Sequence, residues 1–231
     1  MSEESHAGES ASERCMVFTG IVRATGRVVS AEKTPAGVRF AVRCEDWPGR
    51  GAPGDSVCVA GVCLTVVGDA GSGGSVRAFD LIPETLACTT LGSRRPGDPV
   101  NIEPSLELGD PIDGHLVQGH VEGVGEVKRV EQGEGYRVRI RPPAALLASL
   151  APKGSVCVDG VSLTIAAVGG TGGVGGAQRL EWFEVALIPE TLSRTTLGGL
   201  RAGDRVNLET DMMARSVVHV LRVFGVLPPG V

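Results

Sequence analysis

The sequence predicts an all-β protein: two small barrels in tandem, related by internal duplication, with one longer helix at the C-terminus. Three observations carry this. The stretch Gly54 to Val66 recurs as Lys153 to Ile165, and Ser56, Cys63 and Thr65 each find their partner (Ser155, Ser162, Thr164) 99 positions later. A constant offset over that length marks a repeated unit. Short Val-rich runs are punctuated by Gly and Pro, with 34 glycines in 231 residues, which is the signature of short strands joined by tight turns. Only near the end, from Asp211 to Phe224, do apolar residues (Met212, Met213, Val217, Val220, Leu221, Phe224) fall near helical spacing over several turns. The length suits two domains of about 100 residues.

Taken in order, residues 1–15 are rich in Ser, Glu and Ala, with no basic n-region and no apolar h-region. They are expected to be a disordered leader rather than a secretory signal, with Met16 an alternative start. The Ser content is compatible with a plastid address, and the Glu residues count against one. Residues 16–110 are the first unit. Val17 to Val22 is expected as a strand, continued by Thr25 to Val29 after a bend. Val38 to Arg43 alternates apolar and basic residues, the period of two of a half-buried strand. Turns at Trp47-Pro48-Gly49 and Ala52-Pro53-Gly54-Asp55 lead into a hairpin, Val57 to Val67, pinched at Ala60-Gly61. Gly71 to Gly74 is a loop tip, Val76 to Leu81 a strand, Ile82 to Leu86 a short helical turn, and Pro99 to Glu103 the closing strand.

Residues 111–209 repeat this order. Gly119-His120-Val121 stands where Gly20-Ile21-Val22 stood, Val124 to Val127 matches Thr25 to Val28, and Tyr136 to Ile140 is the alternating strand. Pro142-Pro143 starts a short helix from Ala144 to Leu150. After the second hairpin a Gly-rich insertion, Gly169 to Gly176, is expected as a surface loop. It explains why Ile82-Pro83-Glu84-Thr85-Leu86 recurs as Ile188-Pro189-Glu190-Thr191-Leu192 at the longer offset of 106. Residues 210–231 hold the helix, stopped by Gly225 and Pro228-Pro229. Its apolar stripe has no partner on two closed barrels, so a neighbouring subunit is the natural cover.

Composition excludes several classes of function. The formal net charge is −5, there is no basic run, and aromatics are 3%, so neither a phosphate-binding nor a base-stacking surface is expected. No apolar run spans a bilayer. Six cysteines without a C-x-x-C pair and without a signal read as reduced thiols of a cytosolic chain. No strand–G-x-G-x-x-G–helix fingerprint and no G-x-S-x-G elbow is present.

Two of the four histidines share one segment, Asp113-Gly114-His115-Leu116-Val117-Gln118-Gly119-His120. They are either polar residues of a domain junction or acid–base groups, since imidazole titrates near neutral pH. No third His or Cys ligand is near and the spacing is not i, i+4, so no metal is expected. Cys63 is either a small buried hydrophobe or a reactive group. Its replacement by Ser162 in the second copy keeps a small side chain able to hydrogen-bond or attack. Thr65 and Thr164 share a strand face with them. Such a set suits a heterocycle with many polar edges or a polyol tail.

These strings resemble riboflavin synthase of the trimeric α-chain type. The resemblance rests on Phe18-Thr19-Gly20-Ile21-Val22, Gly61-Val62-Cys63-Leu64-Thr65-Val66, Gly114 to Val121, Asp159-Gly160-Val161-Ser162-Leu163-Thr164 and Leu187 to Leu192, in order and in both halves. It implies two tandem six-stranded Greek-key β-barrels plus the C-terminal α-helix, and a cytoplasmic homotrimer built largely through that helix. It also implies association with lumazine synthase. The implied reaction is dismutation of two molecules of 6,7-dimethyl-8-ribityllumazine, without a cofactor, where one barrel faces the other barrel of a neighbouring subunit. The first barrel's implied contacts are Gly20, Ile21, Val22, Cys63, Leu64, Thr65 and the segment Asp80, Leu81, Ile82, Pro83, Glu84, Thr85. Those of the second are Gly119, His120, Val121, Lys153, Ser162, Leu163, Thr164 and Ala186, Leu187, Ile188, Pro189, Glu190, Thr191. His120 is implied as the proton-transfer group, with His115 in support, and Ser56, Cys63 and Thr65 as groups that bind or activate the partner ring. Two competing readings are a non-catalytic lumazine- or flavin-binding antenna protein and a flavin-reductase barrel; the latter lacks the nucleotide domain it would need.

Overall fold

A computed structural model describes residues 17–49, 51–69, 75–172 and 178–227. The leader with its alternative start at Met16, the Gly71 to Gly74 tip, residues 173–177 of the Gly-rich insertion and the Pro228-Pro229 stop lie outside them.

The first barrel is built from β1 (Ala24–Thr34), β2 (Gly37–Arg43), β3 (Ser56–Val59), β4 (Val62–Asp69), β5 (Val76–Leu81) and β6 (Pro99–Pro104). The second is built from β7 (Gly123–Gln132), β8 (Tyr136–Arg141), β9 (Ser155–Val158), β10 (Val161–Gly172), β11 (Gln178–Leu187) and β12 (Arg205–Thr210). Each sheet closes on itself. The neighbour order β1-β2-β5-β4-β3-β6 is reproduced, strand for strand, by β7-β8-β11-β10-β9-β12. Every pairing is antiparallel, and the jump from second to fifth strand makes a Greek key. Irregular register falls at matched places, between Val28 and Ser30 and between Val127 and Arg129, where a bulge coils the long first strand around the barrel.

Alternation explains the cores. Val28, Phe40, Val42, Val57, Val59, Leu64, Val66, Phe79 and Ile102 fill the first barrel, and Val127, Val138, Ile140, Val156, Val158, Ile165, Phe183 and Leu208 the second. Each such side chain contributes roughly 1.5–3 kcal/mol on burial. A further cluster, Phe18, Cys58, Val117 and Cys157, belongs to neither barrel and lies between them. Short helices α1 (Pro83–Cys88) and α2 (Pro189–Arg194) follow β5 and β11, each starting with Pro, whose fixed φ and missing N–H suit a helix's first position.

Two expectations are corrected. Val17 to Val22 is not a strand: Phe18 makes only an isolated bridge to Val117, and β1 begins at Ala24. Gly169 to Gly172 extend β10 rather than opening a loop, because β10 and β11 pair onward to Gly172↔Gln178. The short helix expected from Ala144 is present as a 3₁₀ helix, Ala144–Ser149.

The terminal helix α3 (Met212–Val223) is capped by Asp211, whose carboxylate accepts from the N–H groups of Met213 (2.9 Å) and Ala214 (3.1 Å). It rests one face on the 144–149 turn, burying Val218, and leaves Met213, Val217, Val220, Val223 and Phe224 between 49% and 79% exposed. Among the described residues no helix is long and apolar enough to cross a membrane.

Candidate functional site

The two segments that precede the barrels are exchanged. Val22 packs into the core of the second barrel, and Val121 packs against that of the first. The Ser162 N–H donates to the Gly20 carbonyl (2.7 Å), and the Cys63 N–H donates to the Gly119 carbonyl (2.9 Å). Gly20–Val22 therefore belong with Ser162, and Gly119–Val121 with Cys63, the reverse of the grouping the resemblance implied. Strand alternation tells which residues share a face, and it is silent on which barrel that face meets.

Glycine is needed at both crossings. Gly20 and Gly119 each have φ +73°, in the left-handed region. A Cβ on Gly20 would lie 2.6 Å from the Ser162 Cβ, and one on Gly119 would lie 2.6 Å from the Cys63 Cβ. Two buried carboxylates hold these turns. Glu103 on β6 accepts from the Thr19 N–H (2.7 Å), the Thr19 hydroxyl (2.7 Å) and the Gly20 N–H (3.0 Å). Glu209 on β12 accepts from the N–H groups of Gln118 (2.8 Å), Gly119 (2.9 Å) and His120 (3.1 Å). Burial raises the pKa of both, and the donated N–H bonds pull it back down. Reading the sequence missed both glutamates. The signal was present: Val100-Asn101-Ile102-Glu103 recurs as Val206-Asn207-Leu208-Glu209.

The first pocket gathers on the outer face of β3 and β4. Ser56 lies opposite Thr65, and Cys58 opposite Cys63. Burial pushes the Cys63 thiol up, the Ser56 hydroxyl bonded to it works in the other direction, and the Glu209 charge adds to the rise. Val66 pairs with Phe79, and β5 runs on through Asp80 and Leu81 into Ile82, Pro83, Glu84 and Thr85. Thr65 and Asp80 are exposed, with Asp80 paired to Arg39 across the strands (2.5 Å). Gly119 and His120 lie over this surface. The His120 side chain is exposed, and among the described residues it makes no hydrogen bond to Ser56 or Cys63.

The second pocket repeats the plan with different chemistry. Cys157 lies opposite Ser162, and Ser155 opposite Thr164. Ile165 pairs with Val185, and β11 runs on through Ala186 and Leu187 into Ile188, Pro189, Glu190 and Thr191. Ala186 takes the place of Asp80, and Arg137 pairs instead with Glu184 (3.1 Å). Lys153 sits at φ +67°, where the first copy has Gly54. His115 Nδ1 is 2.7 Å from the Ser162 hydroxyl. Burial lowers the pKa of this imidazole, and the charge of Asp211 opposes that.

The two histidines thus serve different pockets. His115 reaches Ser162, while the Gly119 carbonyl next to His120 accepts from the Cys63 N–H; Val117, between the two histidines, crosses the join and pairs with Phe18.

The comparisons agree with this architecture. A family model described as the lumazine binding domain matches twice, at residues 19–105 and 118–211. The chain is 41% identical over 210 residues to a riboflavin synthase of Mycobacterium tuberculosis (strain H37Rv), covering 90% of this chain and all of that one. It is 40% identical to one of Chlamydia pneumoniae (89% of this chain, 96% of that one) and 38% to one of Escherichia coli K12 (89% and 92%). Among solved structures, LumP complexed with 6,7-dimethyl-8-(1'-D-ribityl) lumazine superposes with a TM-score of 0.69 at 25% identity, over 84% of this chain and 98% of that one. LumP complexed with flavin mononucleotide gives 0.67 at 26%, with the same coverage. The internal repeat, the paired pockets and the identity to those synthases along nearly the whole chain place it in one family: it is a member of the riboflavin synthases, enzymes built from two lumazine-binding domains.

Proposed function

We propose that the chain catalyses dismutation of two 6,7-dimethyl-8-ribityllumazine molecules. One gives up a four-carbon unit to the other, yielding riboflavin and 5-amino-6-ribitylamino-uracil. The observation that carries this is a pair of sites alike in backbone and unlike in side chain: Cys63 bonded through its N–H to Gly119 in one, Ser162 bonded in the same way to Gly20 and through its hydroxyl to His115 in the other. Two copies of one substrate in two different roles call for such a pair. The atoms balance between the two substrates, so no oxidant, reductant or cofactor is required.

The 7-methyl group of the lumazine is acidic, and a modest base removes its proton. His120 is the residue for that transfer: its side chain is exposed, while its backbone is fixed. Ser56, Cys63 and Thr65 bind or activate the ring over the first barrel. Ser162 and Thr164, with Lys153 at the rim and His115 bonded to the Ser162 hydroxyl, bind the ring over the second. Gly20 and Gly119, whose own N–H and carbonyl groups are bonded within the protein, bring Ile21, Val22 and Val121 close enough to line the ring edges. Leu64, Leu163 and the two Ile-Pro-Glu-Thr turns, with Asp80, Leu81, Ala186 and Leu187 leading into them, line the sides. Holding two rings in register supplies much of the acceleration, on the order of 7–11 kcal/mol in favourable cases.

The working form is a cytoplasmic homotrimer joined through α3, in which the first pocket of one subunit faces the second of its neighbour; association with lumazine synthase fits the supply of substrate. The exposed Val217, Val220, Val223 and Phe224 support that assembly. The units we assign are a leader 1–15, barrels 16–110 and 111–209, and the helix with its tail, 210–231. A second reading, a non-catalytic antenna protein, is favoured by the likeness to ligand-bound LumP. Incubation with the lumazine separates the two. Growth of riboflavin fluorescence supports the enzyme, whereas binding without product supports the antenna. The roles above require His120→Ala and Cys63→Ser each to slow turnover by tenfold or more; normal rates in both would refute them.

A further inference from the structure

We infer that Glu209 and Glu103 are positioning residues acting crosswise, each carboxylate setting the geometry of the pocket on the opposite barrel. Glu209 stands on β12 of the second barrel, yet the turn it grips, Gln118-Gly119-His120, is laid on β4 of the first, where the Gly119 carbonyl accepts from the Cys63 N–H. Glu103 stands on β6 of the first barrel and grips Thr19-Gly20, whose Gly20 carbonyl accepts from the Ser162 N–H on the second. Three protein donors meet each carboxylate, and both residues are 2–3% exposed.

An arrangement made only for stability has no need of a charge here, because an ionised carboxylate is costly to bury. What the carboxylate offers is acceptors only, on both oxygens, facing consecutive N–H groups. That fixes three successive peptide planes at Glu209 and two, with the Thr19 hydroxyl, at Glu103, and with them the direction in which the residue after the glycine leaves the turn. In the first pocket that residue is His120; in the second it is Ile21. Glu209 therefore acts on proton transfer through His120, while Glu103 shapes the floor of the other ring's site. The two replacements should not be equivalent.

This inference rests on the dismutation reading, and the test separates the two. Gln in place of Glu209 turns an NH₂ towards N–H donors; Asp keeps the charge and withdraws it by one methylene. With the full-length chain, lumazine binding is followed by ligand fluorescence and turnover by riboflavin formation. Glu209→Gln is expected to lower kcat on the order of 100-fold, the scale for a catalytic group displaced by about 1 Å, with lumazine affinity changed less than threefold. In the background of His120→Ala it should cause no further loss, since it acts through that side chain. Glu103→Gln should instead weaken lumazine affinity by tenfold or more and still slow the His120→Ala background. If Glu209→Gln does not fold, Glu209→Asp is read the same way. Turnover unchanged in a folded Glu209 variant, or a loss that multiplies with that of His120→Ala, overturns the inference while leaving the dismutation intact. A wild-type chain that binds lumazine and forms no riboflavin overturns the dismutation itself.

Discussion

At the scale of single residues, the pockets are defined by close approach rather than by long side chains. Gly119 has its N–H on Glu209, its carbonyl on Cys63 and its Cα against the Cys63 side chain. Gly119→Ala would add left-handed backbone strain to a contact of 2.6 Å with backbone-bound atoms that have no freedom to yield. The expected cost is about 2–4 kcal/mol in urea unfolding, with turnover falling at least tenfold because His120 is carried along. A variant as stable and as active as the wild type would show that the turn is not held as described. Cys63 offers a second check. Its thiol is raised by burial, so alkylation by iodoacetamide, followed on the Cys63 peptide, should be slow at pH 7 and accelerate above the ordinary thiol range. The Cys63/Ser162 exchange was legible in the sequence because duplication set the two side by side. The roles of Glu103 and Glu209 were not. A glutamate ending a strand is ordinarily solvent-facing, and only the meeting of two barrels buries it.

At the scale of elements, strands and turns followed from alternation, Gly and Pro, and the offset of 99 carried one barrel's reading to the other. What alternation could not supply was the exchange of the Phe18–Val22 and Val117–Val121 segments. Both are apolar enough to read as opening strands, and their partners lie on the far barrel. The terminal helix was legible for the opposite reason: its spacing is local, and Asp211 is a local cap. That cap contributes about 1 kcal/mol, so Asp211→Ala should lower the melting temperature by a few degrees. A charge on the exposed stripe acts elsewhere. If α3 joins the proposed trimer, Val220→Glu is expected to leave the fold by circular dichroism unchanged and to shift the mass seen by light scattering from three chains to one. A trimer that persists would move the assembly surface off α3.

For the whole molecule, the join between the barrels is where the repeat turns into a single object. Asn101 donates to the Asp159 carbonyl (2.8 Å) and accepts from the Thr196 N–H (2.8 Å). Asn207 donates to the Ala60 carbonyl (2.7 Å) and accepts from the Thr90 N–H (2.7 Å). These bonds are reciprocal, as two copies facing each other about a local dyad require. The symmetry fails at one position, Asp159 against Ala60, both at the left-handed turn of the hairpin with φ of 45° and 48°. Asp159 is buried, accepts from the Asn207 N–H at 2.7 Å, and has Arg94 only at 3.8 Å. Burial raises its pKa from 3.8 to about 6, against the pull of Arg94. A carboxyl whose folded pKa lies above its unfolded value binds protons more tightly when folded. Its contribution is therefore full below pH 3.8 and is lost as pH rises through 6. At pH 7.5 the buried charge costs on the order of 3 kcal/mol. Asn at this position would keep an oxygen for the Asn207 N–H, suit the left-handed turn and carry no charge. Asp159→Asn should then be more stable than wild type at pH 7.5, by about 1–3 kcal/mol in urea unfolding, and the two should converge near pH 4. Glu103 and Glu209 are present in both proteins, so their own titration cancels in the difference. A gap that stays constant with pH, or one that opens towards acid, would mean that Arg94 holds the carboxylate ionised and that the asymmetry stabilises the join.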